Sequence, residues 1–410
     1  MKNLILLAFV STISFGTAQI PDNAVVIGKI DTIYSKILNE KQKIFVYVPD
    51  GYNPIYSKVN YPVIYLLDGD VHFHSVTGMI QQLSQVNGNT VLPEMIVVGV
   101  TNNDRSRDLS PTHINSDPFM DSAMLAVTGG GELFTNYIEK ELIPYINSAY
   151  PTAPYRVLIG HSLGGLMVMN TLLKHTNLFN AYISIDPSIW WDNQFLLKQA
   201  NKDLTEIKYN GKKLYMAMAN EMKSGMDTSR LRNDTAFYNL HSKSILQFSD
   251  AINKNTGNGL EWNWKFYEDE NHGSLPLIAE YDALKYIFSF HKFPMPATPE
   301  EFKIFNFDSA FVTHYKNISK EMGYTVKPPE SLINILGYQL LQLKNFENAL
   351  KLFALNIASY PNSLNVYDSM GDCYHSKGDK SKAIEYYTLA LKHGDSPETQ
   401  SKLQKLKEEK

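Results

Sequence analysis

A serine at the centre of a short glycine-rich motif is the residue of this chain best suited to carry chemistry. The motif, Gly-His-Ser-Leu-Gly at residues 160–164, fits the Gly-x-Ser-x-Gly pattern of a nucleophile elbow. A β-like run at residues 155–159 precedes it, and an apolar helical run follows it. In such a turn the Ser162 hydroxyl projects above the sheet, and the Leu163 amide points toward a developing oxyanion. We therefore predict that Ser162 is a nucleophile and that Leu163 supplies one oxyanion-hole donor.

An elbow serine needs a base and an acid that orients the base, in the chain order serine, acid, histidine. His272 lies in a short loop after the last predicted core strand, at residues 261–267, and we predict that it is the base. The acid is expected in the loop after the strand at residues 214–219. Glu221 and Asp227 are equal candidates there, since either carboxylate could reach a histidine.

The second oxyanion donor is expected in the loop that follows the strand at residues 61–67. The backbone amides of Gly69 and Asp70 are the candidates, because Gly69 lets this loop approach the elbow closely. His72 and His74 follow this loop, but no third ligand has matching spacing, which favours a pocket wall or the start of a helix over a metal site. The predicted reaction of a serine, a histidine and an acid needs neither a metal nor an organic cofactor.

Strand-like and helical segments alternate around these residues. The strand-like runs are at residues 25–27, 43–48, 61–67, 95–100, 155–159, 181–185, 214–219 and 261–267. Several are apolar almost throughout, which is typical of strands buried on both faces. The pattern predicts an α/β fold, with a doubly wound, mostly parallel sheet and helices on both sides.

The last 80 residues repeat with a period of 34. The matched pairs are Gly337 with Gly371, Leu340 with Tyr374, Ala349 with Ala383, and Phe353 with Tyr387. This period, with glycine, alanine and aromatic residues at these positions, indicates tetratricopeptide repeats. Two repeats are too few to be stable alone, so we expect them to pack on the linker helix or the catalytic domain. Their groove would bind a peptide or helix, or the tail would serve as a brace or a dimer contact.

Composition sets the broad class of protein. The 410 residues carry a net charge of −4, which gives no reason to expect nucleic acid as a partner, and the single cysteine, Cys373, excludes an intrachain disulfide.

The N-terminus predicts export. A positive charge is followed by an apolar run and then by small residues, which is the pattern of a signal peptide. We expect an exported protein, periplasmic or secreted, of a Gram-negative bacterium. No later segment is apolar enough to span a membrane.

The domain bounds follow from these patterns. We expect a signal peptide at 1–18, a catalytic domain at 19–295, a partly helical linker at 296–330, and two repeats plus a capping helix at 331–410.

Several further segments, taken with the elbow, resemble one known family. They are residues 65–69, 103–112, 129–134, 141–146 and 186–191. Over roughly residues 30–290 the chain resembles the putative-esterase family of α/β hydrolases, which includes the enterochelin and salmochelin esterases, esterase D and feruloyl esterases. The resemblance implies a serine-esterase triad with Ser162, His272 and an acid after the sixth core strand. It does not decide between Glu221 and Asp227, and it does not cover the repeats.

Four residues are candidates for the substrate pocket. Arg105 and Arg107 could bind an anionic acyl or phenolate group, although pairing with nearby carboxylates is the favoured alternative. Trp190 and Trp191 could line an aromatic wall or close the core, and we expect one of them to line the pocket.

Together these features predict an exported serine esterase that works through an acyl-enzyme. A siderophore ester or an acyl-polysaccharide ester would suit such an enzyme. The alternatives are a protein-binding module whose hydrolase domain is inactive or secondary, and an acyltransferase that uses the same triad.

Overall fold

The computed structural model describes residues 23–49, 56–57, 59–117, 120–223 and 225–408. The predicted signal peptide at residues 1–18 lies outside them. Eight strands form one sheet: β1 (Lys29–Ser35), β2 (Glu40–Tyr47), β3 (Tyr61–Leu67), β4 (Ile96–Val100), β5 (Thr152–His161), β6 (Ala181–Ile185), β7 (Lys213–Ala219) and β8 (Glu261–Tyr267).

The strand order is β1-β2-β4-β3-β5-β6-β7-β8. The pairs β1–β2 and β2–β4 are antiparallel, and every other neighbouring pair is parallel. The predicted mostly parallel sheet is thus confirmed. The expected strand at residues 25–27 is wrong: these side chains are exposed, and the chain joins the sheet only at Lys29.

Helices fill the connections and form the C-terminal tail. They are α1 (Gly69–Ser84), α2 (Arg105–Asp108), α3 (Ser122–Val127), α4 (Gly131–Tyr137), α5 (Ile143–Ala149), α6 (Leu163–Lys174), α7 (Trp191–Glu206), α8 (Thr228–Leu231), α9 (Leu240–Asn253), α10 (Leu275–Ile287), α11 (Pro299–Ile304), α12 (Phe307–Met322), α13 (Glu330–Gln342), α14 (Phe346–Ser359), α15 (Leu364–Lys377), α16 (Lys380–His393) and α17 (Pro397–Glu408). A π-helical turn, Ile138–Leu142, joins α4 to α5.

Both faces of the sheet are buried, which explains why every residue of β3, β6 and β7 is buried and why most of them are apolar. Helices α4 to α7 and α9 cover one face, and helices α1 and α10 cover the other. The second core continues into α12 to α15, so the tail packs directly against the catalytic part of the chain.

The tail is entirely helical, and the same contact occurs twice in it. A Cβ added to Gly337 would lie 2.5 Å from the Phe353 ring, and one added to Gly371 would lie 2.6 Å from the Tyr387 ring. Glycine at these positions lets α13 pack closely on α14, and α15 on α16. The all-helical tail is confirmed, and its assignment as tetratricopeptide repeats remains a prediction.

Within the part of the chain that the structure describes, no helix combines the length and the apolar character needed to cross a bilayer.

Candidate active site

The elbow serine lies between the end of β5 and the start of α6 with a strained backbone. Ser162 has φ 60° and ψ −117°, a conformation that is costly for a residue with a side chain. A Cβ on Gly160 would lie 2.4 Å from the carbonyl group of Gly164, so the strand and helix can cross here only if residue 160 is glycine. The Ser162 amide donates to the Ile185 carbonyl at 3.0 Å, which ties the elbow to the end of β6.

Three backbone amides near the elbow lie in first helical turns, where amides have no partner within their helix. They belong to Leu163 at the start of α6 and to Gly69 and Asp70 at the start of α1. The two helix starts are close together, since a Cβ on Gly164 would lie 3.2 Å from Asp68 Oδ2. A Cβ on Gly69 would lie 2.4 Å from the backbone of Gly99, which explains the glycine at the first turn of α1.

His272 follows β8 and is held at both its side chain and its backbone. Its Nδ1 donates to Asp186 Oδ2 at 2.6 Å, and its backbone amide donates to Glu221 Oε1 at 2.6 Å. The side chain is 39% exposed, so the other ring nitrogen is within reach of a substrate. An imidazole with its Nδ1 hydrogen bonded to a carboxylate presents Nε2 as a base.

Ser162 Oγ makes a long contact, 3.5 Å, with Ser188 Oγ. Among the described residues, no hydrogen bond joins Ser162 to His272. Contacts of this kind are often long in a free enzyme and tighten when substrate binds.

The carboxylate on the His272 imidazole is that of Asp186, which corrects the expectation for the acid. Asp227 instead caps the N-terminus of α8, where its Oδ1 accepts from the Ser229 and Arg230 amides at 2.9 and 2.8 Å. Glu221 binds the backbone of His272 rather than its ring. Both acids of the loop after β7 are therefore occupied with backbone amides.

Asp186 is the first residue after β6 and is fully buried. Its φ of 41° turns the chain sharply at the strand end, and its amide donates to the Ala217 carbonyl at 2.8 Å. Oδ1 accepts from the Ala219 amide at 2.9 Å. Burial raises the pKa of Asp186, whereas the N–H groups of His241 and His272 lower it. The lowering is the larger effect, so the pKa lies below its usual range and the group is a carboxylate.

The sequence is compatible with Asp186 as the acid but does not single it out. This acid directly follows a strand that pairs with β5, the strand that leads to the nucleophile. The chain order serine, acid, histidine fits Asp186 as well as it fits Asp227. Strand adjacency and a positive φ distinguish them, and both are properties of the folded chain. His241, which also contacts Asp186, carries no sequence signal of this kind.

His161 lies beside His272 at the end of β5. Its ring is 4.4 Å from the His272 ring and 5.9 Å from the His72 ring. Its Nε2 is buried and has no hydrogen-bond partner among the described residues. Burial, with the nearby His272 and His72, lowers the pKa of His161 to about 3, so this imidazole is neutral.

A polar cavity of about 280 Å³ opens beside these histidines. It is lined by Asp68, Asp70, Val71, His72, Asn102, Arg105 and His161. Arg105 is 42% exposed. Its Nε donates to Asp68 Oδ1 at 2.7 Å, and its Nη2 donates to Asp68 Oδ2 at 2.9 Å. Arg107 does not line this cavity, because it pairs with Glu40 and with Asp108.

The two tryptophans have different environments. Trp191 is buried in the core, and its indole N–H donates to Thr112 Oγ1 at 3.1 Å, so it closes the core instead of lining a pocket. Trp190 is partly buried on the same loop and packs against Trp191 with 5.9 Å between the ring centroids. Of the pair, Trp190 is the one accessible to a ligand.

Within the described part of the chain, one group of side chains has donor atoms close enough together to hold a metal. Asp186, His241 and His272 have ligand atoms within 4.8 Å of one another. Both imidazoles already donate to the same carboxylate oxygen, at 2.9 and 2.6 Å. These hydrogen bonds account for the closeness of the three side chains.

The chain is similar to known proteins in sequence and in fold. The family model described as "Putative esterase" matches residues 35–244. The chain is similar to the ferri-bacillibactin esterase BesA of Bacillus subtilis, with 31% identity over 191 residues, 44% of this chain and 65% of that protein. The aligned segments span between 50% and 66% of the first curated relatives' own lengths.

Solved structures extend the likeness. An IroE-like serine hydrolase from Shewanella oneidensis has a TM-score of 0.67 and 30% identity, over 80% of this chain and 98% of its own. An uncharacterised protein from Capnocytophaga ochracea has a TM-score of 0.57 and 20% identity, over 92% of this chain and 99% of its own, so that likeness in fold reaches into the helical tail. By its sequence match and its fold, the chain belongs to the putative esterase family.

Proposed function

We propose that this protein is a serine esterase that hydrolyses carboxylic esters through an acyl-enzyme on Ser162. The observation that carries the proposal is the 2.6 Å hydrogen bond from His272 Nδ1 to Asp186 beside an elbow serine. A buried carboxylate fixes the tautomer of the imidazole and stabilises the imidazolium that forms when it takes a proton. Nothing in packing alone demands this pairing next to a strained serine.

The first half of the reaction forms the acyl-enzyme. Ser162 Oγ attacks the ester carbonyl carbon while its proton moves to His272 Nε2, and the carbonyl electron pair moves onto oxygen. The amides of Leu163 and of Gly69 or Asp70 stabilise that oxyanion. The carbonyl then re-forms, the bond to the alcohol oxygen breaks, and His272 gives its proton to the departing alkoxide.

The second half repeats these steps with water. His272 takes a proton from a water molecule as that water attacks the acyl carbon. The tetrahedral intermediate collapses, Ser162 Oγ leaves and regains the proton from His272, and the acid is released. A base whose imidazole is partly exposed suits this step, because water must reach it.

We propose a siderophore ester as the substrate class. The name of the similar BesA protein, a ferri-bacillibactin esterase, supports this choice. Arg105 contributes a half-exposed guanidinium next to the cavity, which suits the anionic oxygens of an iron-binding ligand. Export of the enzyme fits such a substrate and rests on the leader-like sequence at residues 1–18.

We further propose that the tail is a pair of tetratricopeptide repeats that braces the catalytic part. The repeated glycine–aromatic contacts of Gly337 with Phe353 and of Gly371 with Tyr387 support the repeat assignment. Stacking of Phe293 on Phe311, with ring centroids 4.4 Å apart, supports the brace, because it joins the end of the catalytic part to α12. A partner protein in the repeat groove remains a prediction.

The test is hydrolysis of a short-chain p-nitrophenyl ester by the wild type and by Ser162→Ala, with both proteins checked for folding. We expect hydrolysis by the wild type and only background from Ser162→Ala. A substrate panel follows, with tri-catecholate siderophores, with and without iron, and feruloyl esters. Equal rates from both proteins would reject the esterase. A preference for feruloyl esters would reject the siderophore substrate while leaving the esterase in place.

A further inference from the structure

A second histidine reaches the acid of the proposed triad from a separate element. His241 lies in the first turn of α9, and its Nε2 donates to Asp186 Oδ2 at 2.9 Å. The same oxygen accepts from His272 Nδ1 at 2.6 Å. The rings of His241 and His272 meet edge to face, with centroids 5.4 Å apart. A catalytic triad uses one imidazole between the serine and the acid, and His272 fills that position. The contact of His241 with the same acid therefore needs a separate explanation.

The carboxylate of Asp186 is surrounded by N–H donors. It is 1% exposed, and its two oxygens accept from Ala219 on one side and from both imidazoles on the other. A buried charge is stable only when such donors compensate for the lost water. His241 therefore shares the negative charge that stabilises the His272 imidazolium.

We propose, on the basis of the proposed esterase function, that His241 is a positioning residue: it holds the Asp186 carboxylate in line with His272 and moderates the strength of His272 as a base. The donation from His241 fixes the carboxylate plane, because two donors on Oδ2 and one on Oδ1 leave it no freedom to rotate. Because Oδ2 accepts hydrogen bonds from two imidazoles, it stabilises the His272 imidazolium less than it would with His272 as its one imidazole donor. His272 is a weaker base as a result.

Other groups also face His272 and stay constant in the test. His161 packs its ring against His272 from the end of β5, and His72 from α1 lies behind His161. Glu221, from the loop after β7, accepts the backbone amide of His272. Replacing His241 alters none of these groups directly, so a change in the behaviour of His272 reports on the Asp186 carboxylate.

Two substitutions separate the hydrogen bond from the bulk of the side chain. His241→Phe keeps a ring and removes the donor, whereas His241→Gln keeps an N–H at a similar reach from the backbone. His375→Phe is the matched control, since His375 is exposed on α15 in the tail.

The readouts are the titration of His272, followed by NMR on histidine-labelled protein, and the pH profile of kcat/KM. We expect His241→Phe to raise the pKa of His272, and with it the acid limb of the profile, by about 0.5 to 1 unit, because more negative charge then faces the imidazolium. We also expect kcat to fall between about 10- and 100-fold through misplacement of the base. His241→Gln should recover both values, and His375→Phe should match the wild type.

An unchanged His272 titration in folded His241→Phe would overturn the proposal and leave His241 as a purely structural anchor of α9. The NMR titration needs no turnover, so this result is independent of the esterase assignment. Failure of that assignment would show instead as hydrolysis that does not depend on Ser162.

Discussion

At the scale of single residues, Asp186 combines burial with charge. Removing a carboxylate from water favours its neutral form, yet three N–H donors around this one favour the ionised form. The balance lowers its pKa, so it stays an acceptor for His272 throughout the neutral range. The positive φ of Asp186 belongs to the same arrangement, since it turns the chain sharply at the end of β6, where the carboxylate meets His272.

Replacing this acid tests its role against that of Asp227, one of the two acids predicted from the sequence. Asp186→Asn puts an amide where the imidazole needs an acceptor and favours the wrong tautomer, so we expect kcat to fall by about 10³-fold or more. Asp227→Asn should keep kcat within about twofold, because asparagine caps a helix as well as aspartate does. Steady-state hydrolysis of one p-nitrophenyl ester by both variants measures the difference. Comparable losses in the two would contradict the assignment of Asp186.

Sequence reasoning at this scale succeeds where chemistry is tied to local context. Ser162 lies in the predicted strand, turn and helix, and His272 lies in the predicted loop after the last strand. The acid was misassigned because its identity depends on which strands are neighbours and on one left-handed backbone conformation. Arg107 pairs with Glu40 and Asp108, which is the alternative that the sequence favoured, and Trp191 closes the core. The sequence could not tell which of the two tryptophans closes the core, since a loop side chain gives no sign of the partner it meets.

At the scale of elements, the crossing of β5 and α6 depends on glycine. We expect Gly160→Ala to cost about 1 to 3 kcal/mol, because its Cβ would lie 2.4 Å from the Gly164 backbone. Gly78→Ala is the matched control: nothing lies within 4 Å of its Cβ in the middle of α1, so it should stabilise by about 0.5 to 1 kcal/mol. Urea denaturation of both variants measures these changes. A Gly160→Ala protein as stable as the wild type would show that the crossing is looser than described.

A buried acid links α1 to α10 next to the site. Glu280 is 1% exposed, accepts from Ser75 Oγ at 3.3 Å, and lies 3.6 Å from His72 Nδ1. Burial raises the pKa of Glu280 to about 8, which favours the neutral acid. Because the folded-state pKa lies above that of the unfolded chain, about 4.5, the stability from this group is complete below pH 4.5 and is lost as the pH rises toward 8.

Glu280→Gln should remove this pH dependence. We expect the melting temperature of the variant to rise relative to that of the wild type as the pH increases from 5 to 8. Glu347→Gln, at a position whose side chain is 83% exposed on α14, should leave the slope unchanged. Thermal unfolding at a series of pH values compares the three proteins, and parallel curves for the wild type and Glu280→Gln would disprove the shift.

Element types were predictable from apolar runs, since seven of the expected strands coincide with strands of the sheet. The exception at residues 25–27 shows that strand propensity alone does not predict a strand. These β-branched residues favour a strand by propensity, but no neighbouring strand covers them and they remain exposed.

At the scale of the whole molecule, one hydrophobic core joins the sheet to the tail. Side chains of α1 and α10 belong to the same buried cluster as those of α12 to α15. The 34-residue period predicted the paired helices of the tail, and the small number of repeats predicted that they pack on the linker helix or the catalytic domain, as they do. The period did not predict which surface they cover, because a repeat pattern describes contacts within the stack. The surface beneath the tail is specified by scattered aromatic residues with no period.

A shared core predicts cooperative unfolding. Phe311→Ala should cost about 3 to 5 kcal/mol, because the ring is fully buried against Phe293, whereas Val312→Ala, with its side chain 56% exposed, should cost little. Esterase activity and helical circular dichroism should be lost in a single transition, at lower denaturant concentration in Phe311→Ala. Two separate transitions would mean that the tail folds independently.

The central claim is that Ser162, activated by His272 and Asp186, is the nucleophile. Covalent labelling by a fluorophosphonate, located by mass spectrometry of the digested protein, tests it most directly, because phosphonylation needs the activated serine but no knowledge of the substrate. We predict one adduct, on Ser162, that is absent in Ser162→Ala and formed far more slowly in His272→Ala. Labelling at another residue, or an unlabelled Ser162 in folded wild-type protein, would contradict the account.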